Sequence, residues 1–129
     1  FVHGHLDWVA WASNPWTTAV DAYRAGQGVC RDFAHLAITF CRALNIPARY
    51  TAGYLGDIGV PPAPYPMDFS AWFEAYLGGR WHAFDPRNNV PRIGRILIAQ
   101  GRDASDVPIT QTFGPNTLAG FKVWTDEVA

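Results

Sequence analysis

Cys30 stands where a thiol can become a nucleophile. It follows Gly26-Gln27-Gly28-Val29 and precedes Arg31-Asp32-Phe33-Ala34, which places it in the first turn of a helix that begins just after a glycine-permitted bend. The partial positive charge of a helix N-terminus stabilises a thiolate, and its amides can donate to an oxyanion. Those are conditions under which sulfur attacks an acyl carbon. Helix position alone leaves another reading open, because a free cysteine is commonly a small buried hydrophobe. Cys41, the second of two cysteines, fits that other reading, since it falls on the apolar stripe of the same helix. Eleven helical residues span roughly 16 Å, whereas a disulfide needs Cα atoms within about 7 Å, so the two cannot be bridged.

A thiol nucleophile also needs a base, and the chain has four histidines. His35 lies five residues beyond Cys30, rotated from it by roughly 140° on a helix, and reads as a flanking polar contact. His3 and His5 form a His-x-His pair, a spacing used for metals. With no cysteine or carboxylate cluster beside them they read as helix-surface residues, and no metal site is expected. His82 falls in a strand and is taken up below.

The elements that must position these groups follow from periodicity and turn chemistry. At 129 residues, 49% hydrophobic and 15% aromatic, with a net charge of −1, the chain is expected to form a single domain over residues 1–129 around one core. The charge gives no pull towards nucleic acid or an acidic membrane, and no apolar run approaches the ~20 residues of a membrane span. The cysteine usage is compatible with a reducing, cytoplasmic setting. Leu6, Trp8, Val9 and Ala12 predict an amphipathic helix within residues 1–12. Thr17 or Thr18 then caps a short helix to about Arg24. Phe33, Leu36, Ala37, Phe40, Cys41 and Leu44 recur at helical spacing and predict a buried helix from Cys30 to Leu44, stopped by Asn45 and Pro47. Strands are expected over 48–54, 71–77, 80–85, 93–99 and 121–125, with Gly78-Gly79 as a hairpin turn and a proline-rich loop over 56–66. Helices first and then an antiparallel sheet make an α+β domain.

Two ordered blocks carry a resemblance. Gly28-Val29-Cys30-Arg31-Asp32-Phe33-Ala34, with Leu44-Asn45-Ile46-Pro47-Ala48-Arg49-Tyr50 and Gly53-Tyr54, forms the first. Asp68-Phe69-Ser70-Ala71-Trp72-Phe73-Glu74-Ala75-Tyr76, with Trp81-His82-Ala83-Phe84-Asp85-Pro86, forms the second. Together they resemble the bacterial transglutaminase-like superfamily, from about Thr17 to Val123. The resemblance implies a papain-like α+β core whose nucleophile helix packs on an antiparallel sheet. It implies thiol acyl transfer on protein or peptide amides through a Cys30 thioester, with no metal or organic cofactor. Relatives often carry an additional N-terminal β-domain, so the chain is expected to be the C-terminal catalytic part of a longer protein.

By the same resemblance Cys30 takes the nucleophile position and Asp85 the position that orients an imidazole. The histidine expected directly before Ala71-Trp72 is replaced by Ser70. Three readings stand: a degenerate binding module that keeps the groove, a change introduced into an active enzyme, or another histidine acting instead. Strand parity bears on the last. A two-residue turn at Gly78-Gly79 pairs Trp72 with Asp85, so Ser70 is a diagonal neighbour of Asp85 on one sheet face, about 7 Å away. His82 pairs with Ala75 and points to the opposite face unless a bulge intervenes. A serine hydroxyl is far too weak a base to draw the proton from a thiol. Among the remaining residues, Glu74 reads as a partnered structural carboxylate and the six tryptophans as core or groove material. Tyr50 and Tyr54 are expected to line the acyl groove, and the 56–66 loop to form part of its rim. Gln27 is a weak match to an oxyanion donor.

Overall fold

A computed structural model describes residues 1–64, 67 and 69–128. Thr18 caps α2 (Ala19–Ala25) through a reciprocal pair of bonds: its Oγ1 accepts from the Asp21 amide, and an Asp21 oxygen accepts from the Thr18 amide. Gly26 ends the helix with φ 67°, a left-handed cap that a side chain would resist. The expected helix over 1–12 does not form. One short turn, α1 (Val2–His5), gives way to a two-residue strand, β1 (Asp7–Trp8). It pairs in parallel with β2 (Gln27–Gly28), matching Asp7 to Gln27 and Trp8 to Gly28. Local spacing could not show this, because the partner strand is twenty residues away.

The long helix α3 (Cys30–Ala43) buries Phe33, Ala34, Leu36, Ala37 and Ile38. It packs on a four-stranded antiparallel sheet in the order β5-β4-β3-β6. These strands are β3 (Ala48–Leu55), β4 (Phe69–Leu77), β5 (Arg80–Phe84) and β6 (Arg95–Gly101). Small residues at Ala48, Ala52, Ala71 and Ala75, all buried, let the helix approach the strands, and Tyr50 and Phe73 fill the space between. The stripe is rotated from its sequence expectation. Phe40 is partly exposed against Phe1 and Tyr23, and Leu44, beyond the last helical turn, is exposed. Asn45 follows with φ 59° and reverses the chain.

The sheet matches the expected α+β order in four strands. Gly78 and Gly79, at φ 59° and 86°, form the tight turn between β4 and β5. The expected strand over 121–125 is absent. From Val107 to Val128 the described chain has no helix or strand, and β6 is the strand beside β3. The loop expected over 56–66 is irregular through Pro64, while Tyr65 and Pro66 lie outside the described residues. Neither cysteine is in a disulfide. No helix among the described residues is long and apolar enough to cross a membrane.

Candidate active site

The turn that presents Cys30 is held by Asp32. This carboxylate is 1% exposed. Its Oδ2 accepts from the Val29 amide at 2.8 Å, and its Oδ1 accepts from Ser13 Oγ at 3.0 Å and from Arg31 at 3.3 Å. Asp32 thereby satisfies an amide left open by the helix start and ties the 9–16 loop to it. Arg31 adds bonds to Ser13 Oγ and to the Asn14 carbonyl. Gly28 is required here for close approach: a Cβ would lie 2.7 Å from Asp32 Cβ and 2.9 Å from Oδ2.

Cys30 borders an open groove of about 680 Å³. One wall is Trp8, Ala10 and Trp11, and another is Asp57, Val60, Pro61 and Ala63 from the loop after β3. Phe69 and Ser70, at the start of β4, face it from the sheet, and Arg87, Asn88 and Arg92 close the far side. Trp11 is 96% exposed and has φ 69°, a left-handed conformation costly for a bulky residue. It is one of the strained positions that cluster at functional sites.

Ser70 is 4% exposed, and its Oγ is enclosed without a hydrogen-bond partner. An unsatisfied buried hydroxyl costs about 1–3 kcal/mol. Ser70 lies opposite Gly53, whose missing Cβ would sit 2.0 Å from the Ile96 carbonyl oxygen and 3.0 Å from the Trp72 ring. Trp72, Arg95 and Asp85 gather on this face. The Arg95 guanidinium sits 4.9 Å from the Trp72 ring centre and donates to Asp85 Oδ2 at 2.8 Å.

Asp85 does not line the Cys30 groove. It is buried beside a neighbouring one of about 640 Å³, and its acceptor positions are filled. Oδ1 accepts from the amides of Arg87 and Asn88, at 3.1 and 3.0 Å, while Oδ2 accepts from Asn88 Nδ2 at 2.7 Å and from Arg95. Burial would raise this carboxyl, but the Asn88 donors and Arg95 outweigh it and hold it below the ordinary 3.8. Asn88 touches both the carboxylate and the groove, so Asp85 reaches the Cys30 side through that residue.

None of the four histidines lines the groove. His82 pairs with Ala75 in an unbulged ladder, off the Ser70 face, and its Nε2 lies 3.2 Å from the Leu77 carbonyl. His35 Nε2 accepts the Ala104 amide at 3.0 Å while its ring tilts against Tyr50. Burial, and then the nearby Arg31, hold the His35 imidazole below its ordinary 6.5. His3 Nδ1 lies 2.9 Å from the Arg87 carbonyl oxygen, and His5 Nε2 lies 2.8 Å from that of Tyr23. No group of three or more histidine, cysteine or acidic side chains among the described residues is placed to hold a metal.

The expectations for the groove are met in part. Tyr50 is core, 4% exposed, and Tyr54 packs edge-on against Phe69, so neither lines the groove. Gln27 is exposed on β2, away from it. Of the six tryptophans, Trp72 alone is buried; Trp8 and Trp11 are groove walls, and Trp16 and Trp124 are exposed. Glu74 is partnered, accepting from Arg49 at 2.6 Å and from Gln100 at 2.7 Å. Sequence reasoning missed Asp32, Arg87 and Asn88. Asp32 carried a signal, since an acidic residue three positions after the residue preceding a helix is a capping pattern.

Comparison with known proteins places this geometry in a wider group. A family model described as the transglutaminase-like superfamily matches residues 1–86, a span that contains Cys30, Ser70 and Asp85. An uncharacterised protein of Mycobacterium leprae (strain TN) is 35% identical over 105 residues, covering 79% of this chain and 37% of that protein. An uncharacterised protein of Mycobacterium tuberculosis (strain ATCC 25618 / H37Rv) is 37% identical over 93 residues, covering 65% of this chain and 30% of that protein. The crystal structure of a "Putative Cysteine Protease" from Cytophaga hutchinsonii superposes with a TM-score of 0.78 at 44% identity, covering 88% of this chain and 37% of that one. The chain thus spans about a third of the length of these relatives.

Proposed function

The chain belongs to the transglutaminase-like superfamily, and from that premise we propose that it is a thiol acyl-transfer domain acting on peptide or protein amides through Cys30, slowed by the serine at position 70. The observation that carries the reading is the groove itself: a half-buried thiol at the first turn of α3, beside an open cleft with aromatic walls. In the reaction, Cys30 Sγ attacks the amide carbon and gives an oxyanion that first-turn amides can receive. The C–N bond then breaks, the amine leaves with a proton, and a thioester remains for water or an amine to resolve. With no imidazole in the groove, solvent must take the thiol proton and return it to the amine. Loss of a positioned base costs ~10²–10⁴ in rate. By the family pattern Asp85 is the orienting carboxylate for an imidazole at position 70, a role in which one of its four present donors gives way.

A second reading, an inactive domain that binds peptides in the same groove, is favoured by the unpartnered Ser70 Oγ and the filled acceptor positions of Asp85. The S70H variant separates the two. Acyl transfer expects a Cys30 thiol that alkylates at lower pH than in the parent, and turnover of an amide or thioester panel. A variant that folds but shows neither change supports the binding reading and removes the catalytic one.

A further inference from the structure

The charged side chains around the Cys30 groove are unequally matched. Asp57 and Arg92 lie 3.7 Å apart, and each has a backbone partner, Asp57 accepting from the Ala63 amide and Arg92 donating to the Gly56 carbonyl. Arg87 differs. Its guanidinium lies 4.7 Å from the centre of the Trp8 ring, and no carboxylate among the described residues pairs with it. Its backbone is fixed on both sides, the amide by Asp85 Oδ1 and the carbonyl by His3. Trp8 is fixed in turn by pairing with Gly28, two residues before Cys30.

Stacking on an indole uses the face of a guanidinium and leaves its N–H donors, which lie in the plane, free at the edge. Such an edge matches the two oxygens of a carboxylate. The Trp8 wall holds the charge in place, so little side-chain entropy is lost when a partner arrives.

We infer that Arg87 is a specificity residue for a carboxylate on the bound peptide, so that the groove prefers acidic chains. This rests on the reading of the groove as a peptide site. Its chemistry is shared by two sources, an acidic side chain and a peptide C-terminus.

The test is calorimetric binding of the full chain to acetylated, amidated hexapeptides with a central glutamine, in which one glutamate is moved through the other positions. A glutamine control is made at each position, and a free-acid version of the neutral peptide forms a separate arm. One glutamate position, or the free C-terminus, is expected to tighten binding by about tenfold over its neutral control. R87Q should abolish that preference, weakening acidic peptides about tenfold more than their neutral controls, and R87K should keep part of it. Equal affinities for acidic and neutral peptides overturn the inference, as does a preference that survives R87Q. So does an R87Q loss that is the same for every peptide, which marks a structural prop for Trp8. Binding needs no turnover, so an S70H variant that cleaves acidic and neutral amides alike defeats this inference and leaves acyl transfer standing. Acid-selective binding without any turnover in S70H does the reverse.

Discussion

Replacing Asp32 tests how the fold aims the candidate nucleophile. In D32A the Val29 amide loses its acceptor at 2.8 Å, and Ser13 Oγ and Arg31 lose theirs at 3.0 and 3.3 Å. A lost N-terminal cap costs about 1 kcal/mol, and bonds to a buried charge about 1.5–3 kcal/mol each. Part of this is returned, because Arg31 keeps the Asn14 carbonyl and the desolvated carboxylate is gone. The net expectation is a loss of about 2–3 kcal/mol, or roughly 6–12 °C in Tm for a chain of this size. D32N should cost about 1 kcal/mol, since its amide oxygen can still cap Val29. Guanidinium denaturation reads this as a lower midpoint at unchanged slope. Alkylation of Cys30 by a neutral reagent should change in D32A at denaturant concentrations well below the transition, as the turn before α3 loosens. A D32A midpoint equivalent to a change of less than ~0.5 kcal/mol, the scale of an ordinary surface substitution, refutes the claim that this carboxylate holds the site.

Gly53→Ala should destabilise by about 3 kcal/mol, because its Cβ meets the Ile96 backbone oxygen at 2.0 Å and β6 cannot retreat without losing its pairing. Gly120→Ala, in open space, should stay within ~0.5 kcal/mol in the same denaturation assay. His35 is held below its ordinary 6.5 when folded, so the unfolded chain takes up the proton first and stability falls as pH drops through 6.5. H35Q, whose Oε1 can accept the Ala104 amide without titrating, should flatten stability between about pH 7 and 5. Asp85 is also held low, so its contribution is complete above its ordinary 3.8 and is lost as pH falls below it. D85N should be less stable than the parent at neutral pH and should lose less below about pH 4, as measured by denaturation across pH.

The sequence by itself determined most of the scaffold and the place of Cys30 at the start of α3, because those signals are local. The helical spacing from Phe33 onward, the Thr18 cap and the paired glycines of the β4–β5 turn each act within a few residues, and each is realised in the fold. Strand parity, a consequence of the pleat alone, also placed His82 off the Ser70 face, and the unbulged ladder agrees. The first twelve residues were misread because β1 gains its bonds from β2, a partner that periodicity cannot reveal. The 121–125 segment is not a strand because composition alone cannot supply a pairing partner, and no strand of the sheet pairs with it. Tertiary structure alone decided what surrounds Cys30. It brought Trp8 from β1, Ser70 from β4 and Arg87 from the turn after β5 around one groove, and it filled the acceptor positions of Asp85 with Asn88 and Arg95. The groove residues lie tens of positions apart in the chain, and side-chain type and spacing carry no record of which of them meet around Cys30.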